Sequence, residues 1–332
     1  MFFDSGLMLP KNAYYTHDPL VIYDKGSDVK EWALNKQKIT DLQKHDLCIL
    51  DFSLEHWGIG TIDYIYDTVS QCGVNFVLLS FDSTDHQRRP NLFFYPYFYF
   101  WSIKKFPHRV FQTDNIRQYK WSCLNGRPRG HRIYNYIYSV DRPYYNDSYF
   151  TMHNSEFEAD RTDEFILDQN TADRWNNLRN GWPSDWESWP SVFEVTKATK
   201  DSYIHLVTET TVSPGVFVTE KTWRPIAYGQ LFLILGNPGT VEFLRSQGVD
   251  VFDDLIDHSY DNEPNWQLRC HKVHAQLEKL LVQNLTNLYV ITESRRRANK
   301  QSFYEYKFGK QYRDDIENAI DKNLLTKNKN PI

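Results

Sequence analysis

Residues 47–80 read LCILDFSLEHWGIGTIDYIYDTVSQCGVNFVLLS and predict a strand, a helix and a second strand in succession. Leu47–Phe52 and Val74–Ser80 are short apolar runs, which is typical of strands buried on both faces of a parallel sheet. Between them, apolar residues recur at helical spacing from Ile62 to Val69, and Gly73 ends the helix. The three elements form a βαβ unit, so the sequence predicts an α/β fold.

The second half of the chain repeats this alternation of strands and helices. Short apolar runs predict strands at 119–124, 203–207 and 231–235. Apolar residues at helical spacing predict helices at 131–139, 219–228, 241–247 and 266–281. A second α/β half is therefore expected to begin near residue 116.

We expect two Rossmann-like domains, since 332 residues exceed what one hydrophobic core usually supports. The first would span residues 1–115 and the second residues 116–300, with a polar, Trp-rich insertion near 141–190. Residues 301–332 are charged and are predicted as a C-terminal helical tail. Ligands of such sheets collect at the carboxyl ends of the strands, so functional residues are expected there.

The composition limits the kinds of partner. The net charge is −5 and the isoelectric point about 6.1, so no general positive field attracts nucleic acid. Aromatic residues make up 16% of the chain, which suits core packing and also allows flat contacts with sugar rings or bases. The absence of a CxxC pair indicates reduced thiols at the four cysteines, Cys48, Cys72, Cys123 and Cys270.

Several classes of protein are disfavoured by what the sequence lacks. Met1–Pro10 lacks the basic and apolar pattern of a secretory leader, and no apolar run approaches the ~20 residues of a membrane span, so we expect no leader and a cytoplasmic protein without an integral membrane segment. No Walker A loop and no Ser-His-Asp or Cys-His set is readable, and His271 with His274 lacks a carboxylate partner for a metal. Asp253-Asp254 lies in a predicted solvated turn, so no metal-binding Asp-x-Asp follows a strand and no metal is predicted.

The segment 216–239, VFVTEKTWRPIAYGQLFLILGNPG, carries the strongest functional signal. Thr219 is predicted to cap a helix, which places Glu220 and Lys221 in the first turn. A helix start presents free N–H groups and partial positive charge, which suits a phosphate. Lys221 would add charge for a diphosphate and Glu220 would accept hydrogen bonds from ribose hydroxyls. A plain helix cap with a solvated lysine is the alternative, but the buried strand that follows favours the functional interpretation.

A second candidate is the turn 123–132, CLNGRPRGHR, between a predicted strand and a predicted helix. Guanidinium groups bind phosphate oxygens through paired N–H groups, so several could converge on a diphosphate. A solvated basic turn and a patch that contacts nucleic-acid phosphates are the alternatives. The basic residues of the turn are Arg127, Arg129, His131 and Arg132.

Both segments resemble those of the family 10 α-1,3-fucosyltransferases. In that family a Phe-Glu-Asn-Ser segment precedes a Tyr-x-Thr-Glu-Lys-Leu-Trp-Arg helix and an apolar strand, similar to Glu209 followed by VFVTEKTWRPIAYGQLFLILG here. The segment 122–137, SCLNGRPRGHRIYNYI, is similar to the family's upstream Asn-Cys…Arg segment. The stretch TEKTWRPIAYGQ also resembles segments of phage and bacterial glycosyltransferase-like proteins.

The resemblance implies a GT-B-like fold, in which two Rossmann-like domains face each other across a cleft. It implies an inverting glycosyltransferase that moves a sugar, fucose or a related one, from a GDP-linked nucleotide-sugar without another cofactor. The N-terminal domain would hold the acceptor and the C-terminal domain the donor. Carried over by position, the donor-binding residues are Glu209, Glu220 and Lys221, together with Arg129 or Arg132.

An inverting transfer needs a base for the acceptor hydroxyl and positive groups for the departing diphosphate. Arg129, Arg132 and Lys221 can fill the second role without a metal ion. We predict Glu55 as the base, because its loop follows the first strong strand and precedes a glycine-started helix. The other candidates, which follow the first two strong strands, are Asp51, His56, Asp82 and Asp85.

The acceptor has more than one interpretation. A glycan is the expected acceptor of the enzyme. A phage-type transferase that modifies hydroxymethylated DNA bases is an alternative, which the acidic net charge disfavours. A non-catalytic carbohydrate-binding protein is another, which the Glu220-Lys221 pair and the arginine turn disfavour because stacking on a sugar requires neither.

Overall fold

A computed structural model of the chain divides into two compact units. Unit 1 is drawn from residues 1–104, 215–217 and 309–332, and unit 2 from residues 105–214 and 218–308. The residues that the structure describes are 13–16, 23–24, 33–34, 36–54, 60–106, 116–126, 128–152, 167–179 and 197–328.

The strands of these described ranges form three sheets. Two sheets have four parallel strands each, and the third is a short antiparallel pair of β2 and β3. The strands are β1 (Ala13–Thr16), β2 (Tyr23–Asp24), β3 (Ala33–Leu34), β4 (Leu47–Asp51), β5 (Phe76–Ser80), β6 (Leu92–Phe94), β7 (Tyr119–Leu124), β8 (Ser148–Thr151), β9 (Ser202–Thr208) and β10 (Leu231–Leu235).

The α-helices lie between the strands and after β10. Short 3₁₀ segments at Ser83–Asp85, Pro143–Asp147 and His258–Asn262 complete the described elements. The helices are α1 (Lys36–Gln43), α2 (Thr61–Gln71), α3 (Tyr97–Lys105), α4 (Gly130–Val140), α5 (Gln169–Arg179), α6 (Lys197–Asp201), α7 (Glu220–Tyr228), α8 (Thr240–Ser246), α9 (Trp266–Leu281), α10 (Leu285–Ile291), α11 (Glu293–Tyr304) and α12 (Lys310–Asn328).

The sheet of unit 1 has the order β1-β4-β5-β6. Every residue of β4 and β5 is buried, as the apolar runs predict for a parallel sheet covered on both faces. Helix α2 connects these two strands and buries Ile62, Ile65 and Val69 against them. The βαβ unit predicted from residues 47–80 is therefore confirmed.

The edge of this sheet shows how the chain accommodates Pro96. Strand β6 has three residues and ends at Phe94, before the proline, and α3 begins directly after it at Tyr97. A proline is tolerated at the start of a helix, because the N–H group that it lacks has no intrahelical partner there.

Helix α12 returns the end of the chain to unit 1. The ring of Tyr312 contacts the rings of His86 and Phe94 edge-on, with centroids 4.6 and 4.9 Å apart. His86 Nε2 lies 3.0 Å from a carboxylate oxygen of Asp315, and Ile316 is fully buried. The segment predicted as a C-terminal tail therefore divides at residue 308, and its last helix belongs to the fold of unit 1.

The sheet of unit 2 has the order β10-β9-β7-β8. Strand β9 is buried along its whole length, and β10 is buried likewise. Part of the predicted insertion, Ser148–Thr151, forms the edge strand β8, while much of the remainder lies outside the described residues. Both units thus have a Rossmann-like α/β architecture; the facing GT-B arrangement stays a prediction.

Candidate functional site

The strand order of unit 2 creates a topological switch point between β7 and β9. From β7 the chain continues to β8 on one side, and it then returns to β9 on the other side of β7. The loops that leave the carboxyl ends of β7 and β9 therefore diverge and leave a crevice, where ligands of such sheets bind. These loops lead to α4 and α7, so the two segments singled out in the sequence meet at one edge of the sheet.

Glu209, directly after β9, is fully buried and organises the start of α7. One carboxylate oxygen accepts from the amide of Thr219 at 3.0 Å and from the hydroxyl of Thr222 at 2.6 Å. The other accepts from the hydroxyl of Thr219 at 2.6 Å and from the amide of Thr210 at 3.0 Å. Four donors from the protein thus occupy this carboxylate, which makes Glu209 a residue that positions the site.

The loop after β9 is held through its backbone carbonyl groups. The carbonyl of Glu209 contacts His131 Nε2 and accepts from Arg132 Nη2, both at 2.9 Å. Further donors to the loop are Arg129 to the carbonyl of Thr210 at 2.7 Å, Arg269 to that of Val212 at 2.6 Å, and Asn237 to that of Ser213 at 2.6 Å. Side chains from three other segments therefore fix this loop.

Lys221 lies in the first turn of α7, where the predicted cap Thr219 is confirmed. Its ammonium group donates to the hydroxyl groups of Thr210 and Thr219 at 3.1 and 3.2 Å and to the carboxylate of Glu220 at 2.8 Å. Burial opposes the charge of Glu220, but the adjacent Lys221 and the backbone amide lower the pKa of that carboxyl. Glu220 is therefore ionised at neutral pH and can accept hydrogen bonds.

Arg129 and Lys221 meet at Thr210. The guanidinium group donates to the carbonyl of this residue and the ammonium group to its hydroxyl. Two cations from the starts of different helices are thus brought to a single residue at the switch point. Such a pair can bind an anion with two negative charges, because both attractions act on it at once.

Arg132 adds a buried charge beside this pair. Burial, followed by the neighbouring charge of Arg129, lowers the pKa of Arg132 to about 10, and the guanidinium group remains charged at neutral pH. The carboxylates of Glu209 and Glu220 act on it in the opposite direction. Burial also lowers the pKa of His131 well below its usual range, so this residue is neutral. The positive charge of the site therefore comes from its arginines and Lys221.

The helix starts at this edge differ in how they are capped. Helix α4 begins at Gly130 behind the arginine turn, and the side chain of its N-cap residue, Arg129, forms no capping hydrogen bond. At the start of α8, by contrast, the buried carboxylate of Asp261 accepts from the amides of Val241 and Glu242 at 3.0 and 3.1 Å. Asp261 thus occupies the start of α8, whereas the start of α4 lies next to Arg129 and Arg132.

The structure describes three of the candidates for the catalytic base and gives the protein partners of each. Glu55 and His56 lie outside the described residues, as does Arg127 of the arginine turn. Asp51 is buried at the end of β4 and accepts from the hydroxyl of Tyr15 and from Ser53. The two others also have protein partners: Asp82 caps a 3₁₀ turn and Asp85 binds Ser80 and Arg88.

Some residues of the site carry no clear signal in the sequence. Thr210 is a threonine after a strand, and its role follows only from the loops that converge on it. Arg269 lies 57 residues from the carbonyl of Val212 that it binds. The ring nitrogens of His271 and His274, on α9, contact the hydroxyl groups of Tyr134 in α4 and Tyr144 in the 3₁₀ segment Pro143–Asp147.

Fold and site together define an α/β protein with a cationic crevice at the switch point of its second parallel sheet. No known protein family, curated protein or solved structure matches the chain. Within the described ranges, no group of three or more potential metal ligands comes together. None of the helices in the described part of the chain has the length and apolar character that a membrane span requires.

Proposed function

We propose that unit 2 binds a nucleotide-sugar donor and that the chain is an inverting, metal-independent glycosyltransferase. One observation carries this proposal: Arg129, the N-cap of α4, and Lys221, in the first turn of α7, converge on Thr210. The resemblance of the segments that contain them to the fucosyltransferase segments supports the same assignment.

The diphosphate of the donor would lie against Arg129, Arg132 and Lys221. Charge-assisted hydrogen bonds from guanidinium and ammonium groups are among the strongest that proteins make. The start of α4 would add backbone amides and the positive end of a helix dipole. These groups would neutralise the charge that develops on the departing diphosphate, which is the role of a metal ion in other transferases.

Glu220 would bind the ribose of the donor. Its carboxylate is ionised, and Lys221 occupies only one of its two oxygens in the contacts described above. An ionised carboxylate accepts hydrogen bonds from two neighbouring hydroxyl groups without a change in its protonation state.

The transfer itself would proceed by a single displacement. The acceptor hydroxyl oxygen attacks the anomeric carbon, the bond from that carbon to the diphosphate oxygen breaks, and the diphosphate leaves with the electron pair. The hydroxyl proton goes to a base, for which Glu55 is the predicted residue. The proposed donor is GDP-linked with fucose or a related sugar, and the proposed acceptor is a glycan.

Calorimetric titration with GDP and with inorganic pyrophosphate tests the donor site. Lys221→Met should weaken the binding of both by about tenfold or more, because a charge-assisted hydrogen bond contributes about 1.5–3 kcal/mol. Lys120→Met is the matched control, since Lys120 forms an exposed ion pair with Asp147 in the same unit. That variant should bind both compounds as the unchanged protein does.

Two results would contradict the proposal. The first is an unchanged protein that binds neither pyrophosphate nor any nucleoside diphosphate. The second is a Lys221→Met variant that binds both with unaltered affinity. A hydrolysis screen over nucleotide-sugars then identifies the nucleobase and the sugar of the donor together. Full turnover by a Glu55→Gln variant would rule out Glu55 as the catalytic base.

A further inference from the structure

Two aromatic side chains lie beside the loop that follows β9. Trp266 is the first residue of α9, and Tyr134 lies in the second turn of α4. Their rings meet edge-to-face, with centroids 5.2 Å apart and planes at 83°. Both are partly buried and pack against one buried cluster, which consists of Val212, Leu235 and Cys270.

This cluster places the two rings at the edge of the sheet that carries the cations. Leu235 is the last residue of β10, so the cluster lies at the carboxyl end of the strands. Val212 follows Thr210 by two residues, a distance that an extended chain spans in at most ~7 Å. The ring pair therefore packs on a side chain two residues along the chain from Thr210, on which Arg129 and Lys221 converge.

The rings are held in place before any ligand arrives. Asn265 caps α9 by accepting from the amides of Gln267 and Leu268, both at 3.0 Å, which fixes the backbone at Trp266. The hydroxyl of Tyr134 lies 2.8 Å from His271 Nε2. A fixed aromatic surface loses little conformational freedom when a flat ring stacks on it, so it suits ligand binding.

We propose that Trp266 and Tyr134 form the platform for the nucleobase of a nucleoside diphosphate. This assignment rests on the proposed function, since it takes the position of the diphosphate at Arg129 and Lys221 as its starting point. The ribose would bridge the distance between Thr210 and Val212, and the base would stack on the exposed part of the ring pair. Stacking recognises the face that every base presents, so the platform favours nucleotides over pyrophosphate without selecting one base.

Calorimetry on the full chain separates the contribution of the nucleobase to binding from that of the phosphates. The probes are inorganic pyrophosphate, GDP, UDP, ADP and CDP. Trp266→Ala should weaken the binding of the tightest nucleoside diphosphate by about tenfold, the effect of one lost stacking partner, and leave pyrophosphate binding unchanged. Trp266→Phe keeps a ring and should retain most of the affinity.

Tyr138→Ala is the matched control, because Tyr138 lies one turn further along α4 and stacks on His271 at 4.6 Å, as Tyr134 does at 5.8 Å, but only Tyr134 packs against the Val212 cluster. It should bind nucleotides as the unchanged protein does. Nucleotide binding by Trp266→Ala that equals that of the unchanged protein would overturn the platform and leave the diphosphate site standing. Loss of pyrophosphate binding in the same variant would also overturn it. Failure of the unchanged protein to bind pyrophosphate and every nucleoside diphosphate would instead remove the proposed function.

Discussion

Glu209 and Thr219 are joined by two hydrogen bonds, one from the amide and one from the hydroxyl of the threonine, at 3.0 and 2.6 Å. Thr219 is at the same time the N-cap of α7. A carboxylate at the end of a central strand thereby determines where the neighbouring helix begins and where Lys221 lies. The position of Lys221 in this site therefore follows from a buried acid whose carboxylate accepts from four protein donors.

Replacement of Glu209 by Gln should destabilise unit 2. One oxygen would become an NH₂ group facing donors, which leaves buried donors without an acceptor at a cost of about 1–3 kcal/mol. Urea unfolding measures this change, and pyrophosphate titration should show weaker binding because the first turn of α7 shifts. Glu242→Gln is the control, since the side chain of Glu242 is 68% exposed. Equal stability of the two variants would contradict the role assigned to Glu209.

Gly236→Ala should disturb the side chain of Glu209 by crowding it. A Cβ atom at this position would lie 3.2 Å from Ile234 Cγ2 and 3.3 Å from both Glu209 Cγ and Thr240 Oγ1. Overpacking of this kind lowers the free energy of unfolding by about 1–3 kcal/mol, and here it also displaces the side chain of Glu209. Gly248→Ala is the comparison, because Gly248 has φ +83° in open space and its replacement adds only backbone strain. Both changes should lower the urea midpoint, but only Gly236→Ala should weaken pyrophosphate binding.

The stability of unit 2 should decrease in mild acid. Burial, with the charges of Arg142 and His271, lowers the pKa of His274 to about 3, and burial with the charge of Arg224 does the same for His205. The unfolded chain binds these protons near pH 6.5. Stability is therefore complete above about pH 6.5 and falls below it, by about 1.4 kcal/mol per pH unit for each such histidine.

Urea unfolding at pH 7.5 and pH 5.5 measures this dependence. His274 Nε2 contacts the carbonyl oxygen of the Asn135 side chain at 2.8 Å, and Nδ1 contacts the hydroxyl of Tyr144 at 2.9 Å, which suits a neutral ring. His274→Gln should lower the stability at pH 7.5 and reduce the loss between the two pH values. A pH dependence that is identical in both proteins would show that His274 does not contribute.

Tyr312→Ala should destabilise unit 1 and leave unit 2 intact. The ring of Tyr312 is one of the contacts through which α12 packs on β6, and loss of a partly buried ring costs about 2 kcal/mol. Hydrogen exchange should show faster exchange in β5 and β6, while pyrophosphate binding stays unchanged. Tyr64→Ala, at a position that is 37% exposed on α2, provides the control. Slower or unaltered exchange in β5 would argue against this role of Tyr312.

The fold could be predicted where burial on both faces leaves a strong pattern. The continuous apolar runs of β4, β5 and β10 predict their strands to within two residues. Strand β1, AYYT, escapes such an analysis because a four-residue edge strand has neither an apolar run nor a long alternation. The order of the strands is also absent from local patterns, since pairing between β7 and β9 depends on contacts across more than 80 residues.

The charged residues of the site could be predicted from the sequence, but the contacts that join them could not. Lys221, Arg129 and Arg132 stand out because charged residues follow apolar strands. That Thr210 joins two of them cannot be deduced from spacing, since it depends on how two loops leave neighbouring strands. The sequence likewise marks Glu209 only as an acid after a strand. The four donors that occupy its carboxylate come from residues up to 13 positions away.

The return of α12 to unit 1 has a consequence for the order in which the chain is completed on the ribosome. Strands β1 to β6 emerge before unit 2, yet the helix that covers part of their sheet is made only after every residue of unit 2. Unit 2 is therefore complete while part of the apolar surface of unit 1 is still exposed, a stage at which chaperones bind and proteases cut. A nascent chain that stops at residue 308 should be cleaved within residues 36–104 and resist cleavage within 202–291; equal resistance of both regions would refute this order.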